Sequence, residues 1–257
     1  MIVKFYLNLL KINSFRNFIA FVDSLFYLKI LRKEPKRFTD KNPAISQNTL
    51  ESNLRVVHKK SDLPDHPKAK FFLGVGLNQG NPKSNMLIEP INAVLSSKII
   101  KKKNLKVLSI GPRTLGEILN IQSYGFSYKN IYGLDLFSLN KKIEVGDMHD
   151  LPWDDNFFDI VLCGWAIAYS ENKKLVANEI SRVLKKDGIF SIGVSFSPSS
   201  NEEQIKKRGY LIGSDERLVS SFQIEELFGN SISKVYFRTD PENTDAHSQI
   251  ILTASVT

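Results

Sequence analysis

Residues 105–112 read Leu-Lys-Val-Leu-Ser-Ile-Gly-Pro, a short aliphatic run that ends in a glycine turn. Apolar residues at helical spacing follow directly, at Leu115, Ile118 and Leu119. A strand, a tight turn and an amphipathic helix in this order form the start of a β–α unit. Because similar units recur as far as residue 196, the sequence predicts a doubly wound α/β sheet.

Apolar runs of the same kind predict four further strands and a closing strand pair. The four strands lie at Asn130–Leu134, Ile143–Val145, Phe157–Cys163 and Ile189–Phe196. The pair consists of Lys234–Arg238 and Gln249–Val256, joined by a polar loop. Helices are predicted at Met86–Ile100, Leu115–Ile121, Glu171–Lys185 and Phe222–Phe228, the last with Ser221 as its N-cap. We therefore expect a Rossmann-like, mostly parallel seven-stranded sheet with a C-terminal antiparallel strand pair.

Composition sets the broad class of the protein. The 257 residues are 42% hydrophobic and 24% charged, which is typical of a globular chain with a substantial core. The single cysteine, Cys163, excludes an internal disulfide and a cysteine-built zinc finger. No stretch of about 18 apolar residues is present, so an ordinary membrane-spanning helix is excluded. The four histidines lack metal-ligand spacing, and no metal site is predicted.

The positive charge is concentrated in the N-terminal part of the chain. Residues 1–103 hold 19 Lys and Arg against 7 Asp and Glu, while residues 104–257 hold 16 against 20. This change predicts two parts: a basic N-terminal extension or cap of helices and loop over 1–103, and the α/β domain over 104–257. The excess charge suits a membrane surface, an anionic substrate or nucleic acid, or is simply a solvated surface.

The beginning of the extension has an amphipathic pattern. Apolar residues recur every three or four positions from Ile2 to Ile30, as on one face of a helix. Such a face packs on the protein's own core or, because Lys and Arg flank it, lies on a membrane surface through residues 1–33. Both interpretations stay open. The run Lys101-Lys102-Lys103 is interpreted as the end of the preceding helix rather than a nucleic-acid patch, since no arginine or aromatic residue is interleaved.

The residues that directly follow the strands are the candidate site. In a doubly wound sheet, ligands bind beyond the carboxyl ends of the strands. These positions hold Gly111–Glu117, Asp135, Asp147–Met148 and Gly164–Trp165. A glycine lets a ligand approach the backbone, and a carboxylate accepts hydrogen bonds from hydroxyl or amino groups. These residues are therefore the first candidates for a binding site.

Five segments of this part of the chain resemble the motifs of class I S-adenosylmethionine-dependent methyltransferases. They are Val107–Glu117, Ile131–Asp135, Gly146–Trp153, Phe157–Cys163 and Glu179–Ile189. The last segment reads Glu-Ile-Ser-Arg-Val-Leu-Lys-Lys-Asp-Gly-Ile and closely resembles the stretch E-x-x-R-V-L-K-P-G-G that leads into the family's fifth strand. The resemblance covers roughly residues 104–257 and implies a methyltransferase type 11-like domain.

The resemblance implies S-adenosyl-L-methionine as the cofactor and assigns residues to its parts. Asp135 corresponds to the acid that binds the ribose, and Asp147 with Met148 to the segment that contacts the adenine. The other implied cofactor-binding residues are Gly111, Pro112, Arg113, Glu117, Leu136 and Gly164. Methyl transfer needs alignment more than acid–base chemistry, so Trp165, Tyr169 and His149 are expected to position the acceptor.

The implied function is the transfer of a methyl group to an acceptor that the sequence does not name. A small-molecule, lipid-linked or saccharide acceptor is expected rather than nucleic acid, because no Asn/Asp-Pro-Pro-Tyr motif follows the fourth strand. The expected location is the cytoplasm, with peripheral membrane contact if residues 1–33 lie on a membrane.

The first motif departs from the family pattern, and this keeps a second function open. Ser109 stands where the family has an acid, and Arg113 and Leu115 stand where two glycines fall. The alternative is a non-catalytic binding or scaffold protein with the methyltransferase fold. A short-chain dehydrogenase is disfavoured, because Tyr169-x-x-x-Lys173 has its spacing but the first turn lacks the G-x-x-x-G-x-G pattern.

Overall fold

Seven strands form one sheet in the computed structural model of the protein. They are β1 Val107–Ile110, β2 Ile131–Asp135, β3 Ile143–Val145, β4 Phe158–Gly164, β5 Leu184–Phe196, β6 Ile232–Thr239 and β7 Ser248–Val256. The helices are α1 Lys83–Ser97, α2 Leu115–Ser123, α3 Lys173–Val183, α4 Asn201–Arg208 and α5 Ser221–Phe228. Short 3₁₀ turns lie at Lys102–Asn104, Tyr128–Asn130, Ala166–Tyr169 and Gly229–Ser231. The structure describes residues 83–98, 100–112, 115–136, 138, 140–208 and 213–257, with the isolated residues Ile12, Phe15 and Phe18.

The order of the strands confirms the predicted fold class. Across the sheet they run β3-β2-β1-β4-β5-β7-β6. Strands β1 to β5 are parallel, whereas β7 pairs antiparallel with both β5 and β6. The chain moves outward from β1 to β3 and then returns to place β4 on the other side of β1. The crevice at this switch point, beyond the carboxyl ends of β1 and β4, is where such sheets bind ligands.

Buried apolar residues form a layer on each face of the sheet. One layer packs α3 and α5 against the sheet, with Ile180 of α3 and Phe228 of α5 among its buried members. The other packs α1 and α2 against the opposite face, with Ile91 of α1 and Ile118 of α2 fully buried. Strand β4 contributes to both layers, since Phe158 and Val161 belong to the first and Ile160 to the second. This burial on both faces explains why residues 160–163 of β4 are all apolar.

Helix α1 belongs to the core of the sheet. Its residues Leu87, Ile88, Ile91 and Leu95 are all at most 3% exposed. Leu87 lies against the carboxyl end of β4, where an added Cβ on Gly164 would be 3.3 Å from its Cδ1. The last helix of the predicted N-terminal part therefore shares a core with the α/β domain, and the division at residue 103 stays a prediction.

Four local features of the structure differ from the sequence predictions. Helix α1 ends at Ser97, so the lysines at 101–103 do not close it and two of them lie in a separate 3₁₀ turn. Strand β5 begins at Leu184, and its pairing with β4 is interrupted before Ile189. The N-cap of α5 is Ser220, whose side chain accepts a hydrogen bond from the Gln223 amide. Helix α4 was not predicted, because Asn-Glu-Glu-Gln-Ile-Lys-Lys-Arg has no apolar face.

Two predictions lie wholly or mostly outside the described residues. The amphipathic segment from Ile2 to Ile30 is one, and the side chain of Arg113 is the other. Among the described residues, no helix is long and apolar enough to cross a membrane.

Candidate functional site

The carboxyl ends of β1 to β4 and the loops that follow them form the candidate site, here called the carboxyl edge (residues 111–112, 135–136, 146–150 and 164–170). Gly111 opens it with a φ of +74°, a backbone conformation that favours glycine. A Cβ on Gly111 would lie 2.7 Å from the Cβ of Ala166. Both the conformation and the contact therefore require a glycine, and they hold the Gly111 turn against the turn after β4.

The two predicted carboxylates lie beside each other at this edge. Asp135 is the last residue of β2 and pairs with Val145, the last residue of β3. The Gly146 amide donates a hydrogen bond to the Asp135 carbonyl at 3.1 Å, which holds the start of the next loop against β2. Asp147 follows immediately. The strand register and this hydrogen bond therefore bring the Asp147 segment to the same edge as Asp135.

The other predicted cofactor residues have different environments. Pro112 is buried, and its ring packs against Gly133. A Cβ added to Gly133 would lie 3.1 Å from the Pro112 Cγ. Glu117 lies in the first turn of α2 and is half-buried. Leu136, Met148 and Gly164 are also half-buried, and Met148 packs against the α3–α5 core layer. Leu115, which stands where a family glycine falls, is half-buried at the start of α2.

A chain of three hydrogen-bonded side chains joins two loops of the site. Asp147 Oδ1 lies 2.5 Å from Nδ1 of His149, and it also accepts the His149 backbone N–H at 2.9 Å. Nε2 of the same ring lies 2.7 Å from Oγ of Ser170, which is 1% exposed. Because a carboxylate can only accept, Nδ1 of a neutral ring carries the proton and Nε2 accepts the Ser170 hydroxyl. The Asn172 amide donates to the Ser170 Oγ at 3.0 Å and completes the chain.

The Asp147 carboxyl is held in its ionised form. Burial raises its pKa, but the side-chain and backbone hydrogen bonds and the charge of His149 together outweigh burial and leave the pKa below its usual value. Its second oxygen, Oδ2, has no hydrogen-bond partner among the described residues. Asp147 therefore presents a charged acceptor at the carboxyl edge while its first oxygen fixes the imidazole.

Trp165 is buried at the carboxyl edge and is not an exposed platform. Its backbone has a φ of +63° and its ring is 9% exposed. The indole Nε1 donates to Gln249 Oε1 on β7 at 2.8 Å. The ring also lies over Gly193 of β5, whose added Cβ would be 3.3 Å from it. A left-handed non-glycine residue at the end of a strand carries a strain that the surrounding contacts must offset, and such strain is often found at functional sites.

The 3₁₀ turn after Trp165 is a junction of the surrounding loops. Ala166 contacts Gly111, and the carbonyl of Ala168 accepts the Ser214 amide at 2.8 Å. Tyr169 is half-buried in the same turn. Contacts of this turn therefore join the turn at Gly111, the loop that contains His149 and the segment after α4. We expect a displacement of one of these segments to displace the others.

A buried lysine fixes the end of this turn. Lys173 is 5% exposed, and its Nζ donates to the Ser170 carbonyl at 2.9 Å and to the Ser214 Oγ at 2.6 Å. Burial lowers the pKa of this ammonium group, and the charge of Glu216 opposes that effect. Lys173, which has the spacing from Tyr169 that is found in dehydrogenases, therefore holds the loop of Ser170 and the loop of Ser214 together.

The Glu179-x-x-Arg182 motif also stabilises a loop near the site. Arg182 donates to the carbonyls of Leu151 and Trp153 and to both Glu179 oxygens, while Glu179 accepts the Leu151 amide at 2.8 Å. Asp155 adds an ion pair at 2.8 Å. The hydrogen bond and charge of Arg182 hold the pKa of the Glu179 carboxyl below its usual value. The motif therefore clamps the loop that follows the Asp147–His149 segment and fixes its course.

Sequence reasoning missed Ser170, Lys173, Ser214 and Gln249. Ser170 ends the predicted loop after β4, so its position at the carboxyl edge was visible, but its partner is 21 residues earlier. The thiol of Cys163 is excluded as a reactive group, because complete burial raises its pKa to about 12. Within the described part of the chain, no cluster of His, Cys, Asp and Glu has the arrangement of a metal site.

Comparison with known proteins finds a segment of the chain that is similar to methyltransferases. Residues 116–192 match the family described as a methyltransferase domain. A segment of 59 residues is 32% identical to the uncharacterized methyltransferase YcgJ of Bacillus subtilis (strain 168), over 23% of this chain and 23% of that protein. The chain thus spans less than a quarter of the length of this curated relative. The match confirms the family resemblance predicted from the sequence.

Alignment with the solved structure of CurJ confirms the fold. The carbon methyltransferase CurJ aligns with a TM-score of 0.54 and 12% identity, over 88% of this chain and 70% of that one. A chain of the complex that contains the Trm112 methyltransferase activator of Haloferax volcanii aligns with a TM-score of 0.48 and 17% identity, over 65% and 88%. The doubly wound sheet of this chain therefore has the same fold as the CurJ structure.

Proposed function

We propose that the protein is an S-adenosylmethionine-dependent methyltransferase whose cofactor site is the carboxyl edge. The observation that carries the proposal is the coincidence of the matched methyltransferase segment with the geometry of this edge. A glycine turn at Gly111 and carboxylates at the ends of two adjacent strands lie within that segment or beside it. When bound, the cofactor supplies a methyl group activated on a sulfonium.

The residues present fit a nucleoside at this edge. Asp135 is proposed to accept hydrogen bonds from ribose hydroxyls, and Asp147 Oδ2 to accept one from the adenine amino group. Met148 offers an apolar surface for the ring. At Gly111 the missing Cβ lets Ala166 pack against the glycine turn, which holds the turns after β1 and β4 together. Pro112, Glu117, Leu136 and Gly164 complete the proposed contacts, with Arg113 proposed as a partner of the methionine carboxylate.

The acceptor side of the site lies at the turn after β4. Trp165 and Tyr169 are proposed to wall the acceptor pocket, and His149 to position the turn through Ser170. Since in-line methyl transfer depends on alignment, rigid loops at this point serve the reaction directly. We propose a small-molecule, lipid-linked or saccharide acceptor rather than nucleic acid. We also propose a cytoplasmic enzyme, with membrane contact through residues 1–33.

One observation favours a second function. Ser109 is buried at 6% exposure where the family has an acid, and Leu115 is half-buried where it has a glycine. A site altered in this way suits a non-catalytic binding or scaffold protein of the same fold.

Calorimetric titration of the full-length protein with S-adenosylmethionine and S-adenosylhomocysteine tests the proposal. The variants are Asp135→Ala and, as a matched control, Asp150→Ala, because Asp150 is an exposed carboxylate of the same edge. We expect micromolar binding that Asp135→Ala weakens about thirty-fold, as for a lost hydrogen bond to a charged group. Asp150→Ala should bind normally. Absence of binding to either compound would support the scaffold function instead.

A further inference from the structure

The lysines of the described residues are concentrated at the end of the sheet opposite the candidate site. Fourteen lysines have described side chains, and only Lys173, Lys174 and Lys206 lie elsewhere. The other eleven precede the parallel strands or lie level with their first residues. We call this surface the amino edge; its lysines are 98, 101, 102, 103, 106, 129, 141, 142, 185, 186 and 234.

The fold brings these lysines together although they are far apart in sequence. Lysines 101–106 precede β1, Lys129 precedes β2, and lysines 141 and 142 precede β3. Lysines 185 and 186 lie where the pairing of β4 with β5 is interrupted. Lys234 pairs with Ser255, which in turn pairs with Ile189 near the start of the β4–β5 ladder. Because parallel strands begin at the same edge, one broad surface spans the width of the sheet.

Few carboxylates neutralise this surface. Asp154, Asp155, Asp159 and Asp187 lie at the same edge. Asp155 is already paired with Arg182, and Asp159 with Lys185. Within the described part of the chain, Lys185 is alone among the eleven lysines in having an ion-pair partner. The remaining lysines therefore add their charges to a common positive potential.

The side chains of the amino edge present point charges rather than shaped recognition sites. Its one described arginine, Arg182, has its guanidinium occupied by the Glu179–Arg182 clamp. A lysine occupies one face of two of its aromatic rings: the Lys106 ammonium lies 3.5 Å from the Phe157 centroid, and that of Lys142 lies 4.7 Å from the Tyr128 centroid. Free arginine forks and open rings are what proteins use to bind phosphates bidentately and to stack on bases. A nucleic acid is therefore the less suitable partner.

Two exposed apolar side chains accompany the lysines. Ile100 and Tyr128 are each 38% exposed and lie next to Lys101 and Lys129 in sequence. A wide lysine surface with a few apolar and aromatic side chains suits the headgroup layer of an anionic bilayer, where ammonium groups act through the field and tyrosine lies at the interface.

We propose that the amino edge docks the protein on an anionic lipid surface. The contact is electrostatic, reversible and independent of any helix that inserts into the membrane. It orients the molecule so that the carboxyl edge, with the candidate site, faces away from the lipid. The proposal does not depend on methyl transfer, since it concerns the opposite edge of the sheet.

Flotation of the full-length protein with vesicles of phosphatidylcholine alone, or with phosphatidylglycerol added, tests this proposal. The edge variant is Lys129→Gln with Lys141→Gln, both exposed and without an ion pair. The control is Lys174→Gln with Lys206→Gln, which changes the net charge equally on other surfaces. Glutamine retains a polar side chain, and thermal unfolding of each variant verifies that it folds.

The expected result is binding to anionic vesicles that salt reverses and that vesicles of phosphatidylcholine do not support. Each lysine near such a surface contributes roughly fivefold in affinity, so the edge variant should lose about twenty-five-fold while the control stays near the wild type. Equal loss in both variants, or unchanged binding in the edge variant, would overturn the proposal. So would binding to an RNA homopolymer, with the same lysine dependence, by a protein that ignores the vesicles.

Discussion

At the carboxyl edge of the sheet, glycine turns and carboxylates follow the strands, whereas lysines precede the same strands at the amino edge. The carboxyl edge contains Asp135 and Asp147, and its residues touch one another closely, as at Gly111 and Ala166. The amino edge has long side chains with few partners. The difference indicates that one edge is built to hold a small ligand by geometry and the other to meet a large surface by charge.

The largest expected effect is that of a side chain at Gly111. Gly111→Ala places a Cβ 2.7 Å from Ala166 in a backbone with a φ of +74°. We expect a loss of about 2–4 kcal/mol in the free energy of unfolding and S-adenosylhomocysteine affinity reduced more than about a hundred-fold. Chemical denaturation and calorimetry measure the two quantities.

Gly125→Ala is the matched control. Gly125 also has a positive φ, of +98°, but an added Cβ meets nothing closer than Lys102 Cδ at 4.0 Å. It should cost about 1 kcal/mol and leave the affinity unchanged. Equal loss of affinity in the two variants would mean that backbone strain alone, rather than the site, explains the Gly111 effect.

A substitution of Arg182 tests whether this cation stabilises the fold, in contrast to the lysines of the amino edge, which are proposed to bind a lipid surface. Arg182→Ala removes the hydrogen bonds that hold the carbonyls of Leu151 and Trp153 and leaves Glu179 with the Leu151 amide as its hydrogen-bond partner. A loss of about 2–3 kcal/mol in the free energy of unfolding is expected by urea denaturation. Arg238→Ala, which breaks a half-exposed ion pair with Glu225, should cost less than about 1 kcal/mol. Similar costs for the two variants would contradict the clamp.

The Asp147–His149–Ser170 chain is tested by two isosteric substitutions. Asparagine at 149 keeps a donor near the Nδ1 position, and glutamine keeps a polar group near Nε2. If the chain positions both loops, His149→Asn and His149→Gln each reduce S-adenosylhomocysteine affinity about tenfold, because each keeps one of the two hydrogen bonds. Wild-type affinity in both variants would show that the chain is not part of the site.

The smallest expected effect is a dependence of stability on pH. Hydrogen bonds and charge hold the pKa of Glu179 below its usual value, so its contribution to stability is fully present above about pH 4.5 and is lost as the pH falls through the folded-state value. Urea denaturation between pH 6 and pH 3 should show stability falling below about pH 4.5, with a smaller fall in Glu179→Gln. An identical pH profile in this variant would assign the loss to other carboxyls.

The sequence predicts most of the fold because the elements are locally encoded. The run Val107–Ile110 and the continuous apolar stretch of β4 each read as strands without tertiary information. Helix α4 is not predicted in this way, because its sequence is polar and its helical structure depends on capping hydrogen bonds and on contacts with neighbouring segments. Ser200 illustrates this: its Oγ accepts the Glu203 amide, and its own amide donates to the Glu203 carboxylate, a capping box that hydrophobic periodicity ignores.

The candidate site is predictable only in part. The carboxyl-edge rule brings Asp135 and Asp147 together from strand order alone. The bond between His149 and Ser170, and that between Trp165 and Gln249, join residues 21 and 84 positions apart and depend on how the loops fold back. The lysine surface could not be predicted from the sequence for the same reason. Its lysines are dispersed from residue 98 to residue 234, and they come together only because the strands are paired in parallel register.

Hydrogen–deuterium exchange of the full-length protein with and without S-adenosylhomocysteine tests the central claim most directly, because it reports on both edges at once. We predict protection of backbone amides at 111–112, 133–136, 146–149 and 164–170, with no change at 101–106, 128–130 and 141–142. Protection at the amino-edge segments, or none at the carboxyl edge in a protein that binds the compound, would contradict the assignment of the two edges.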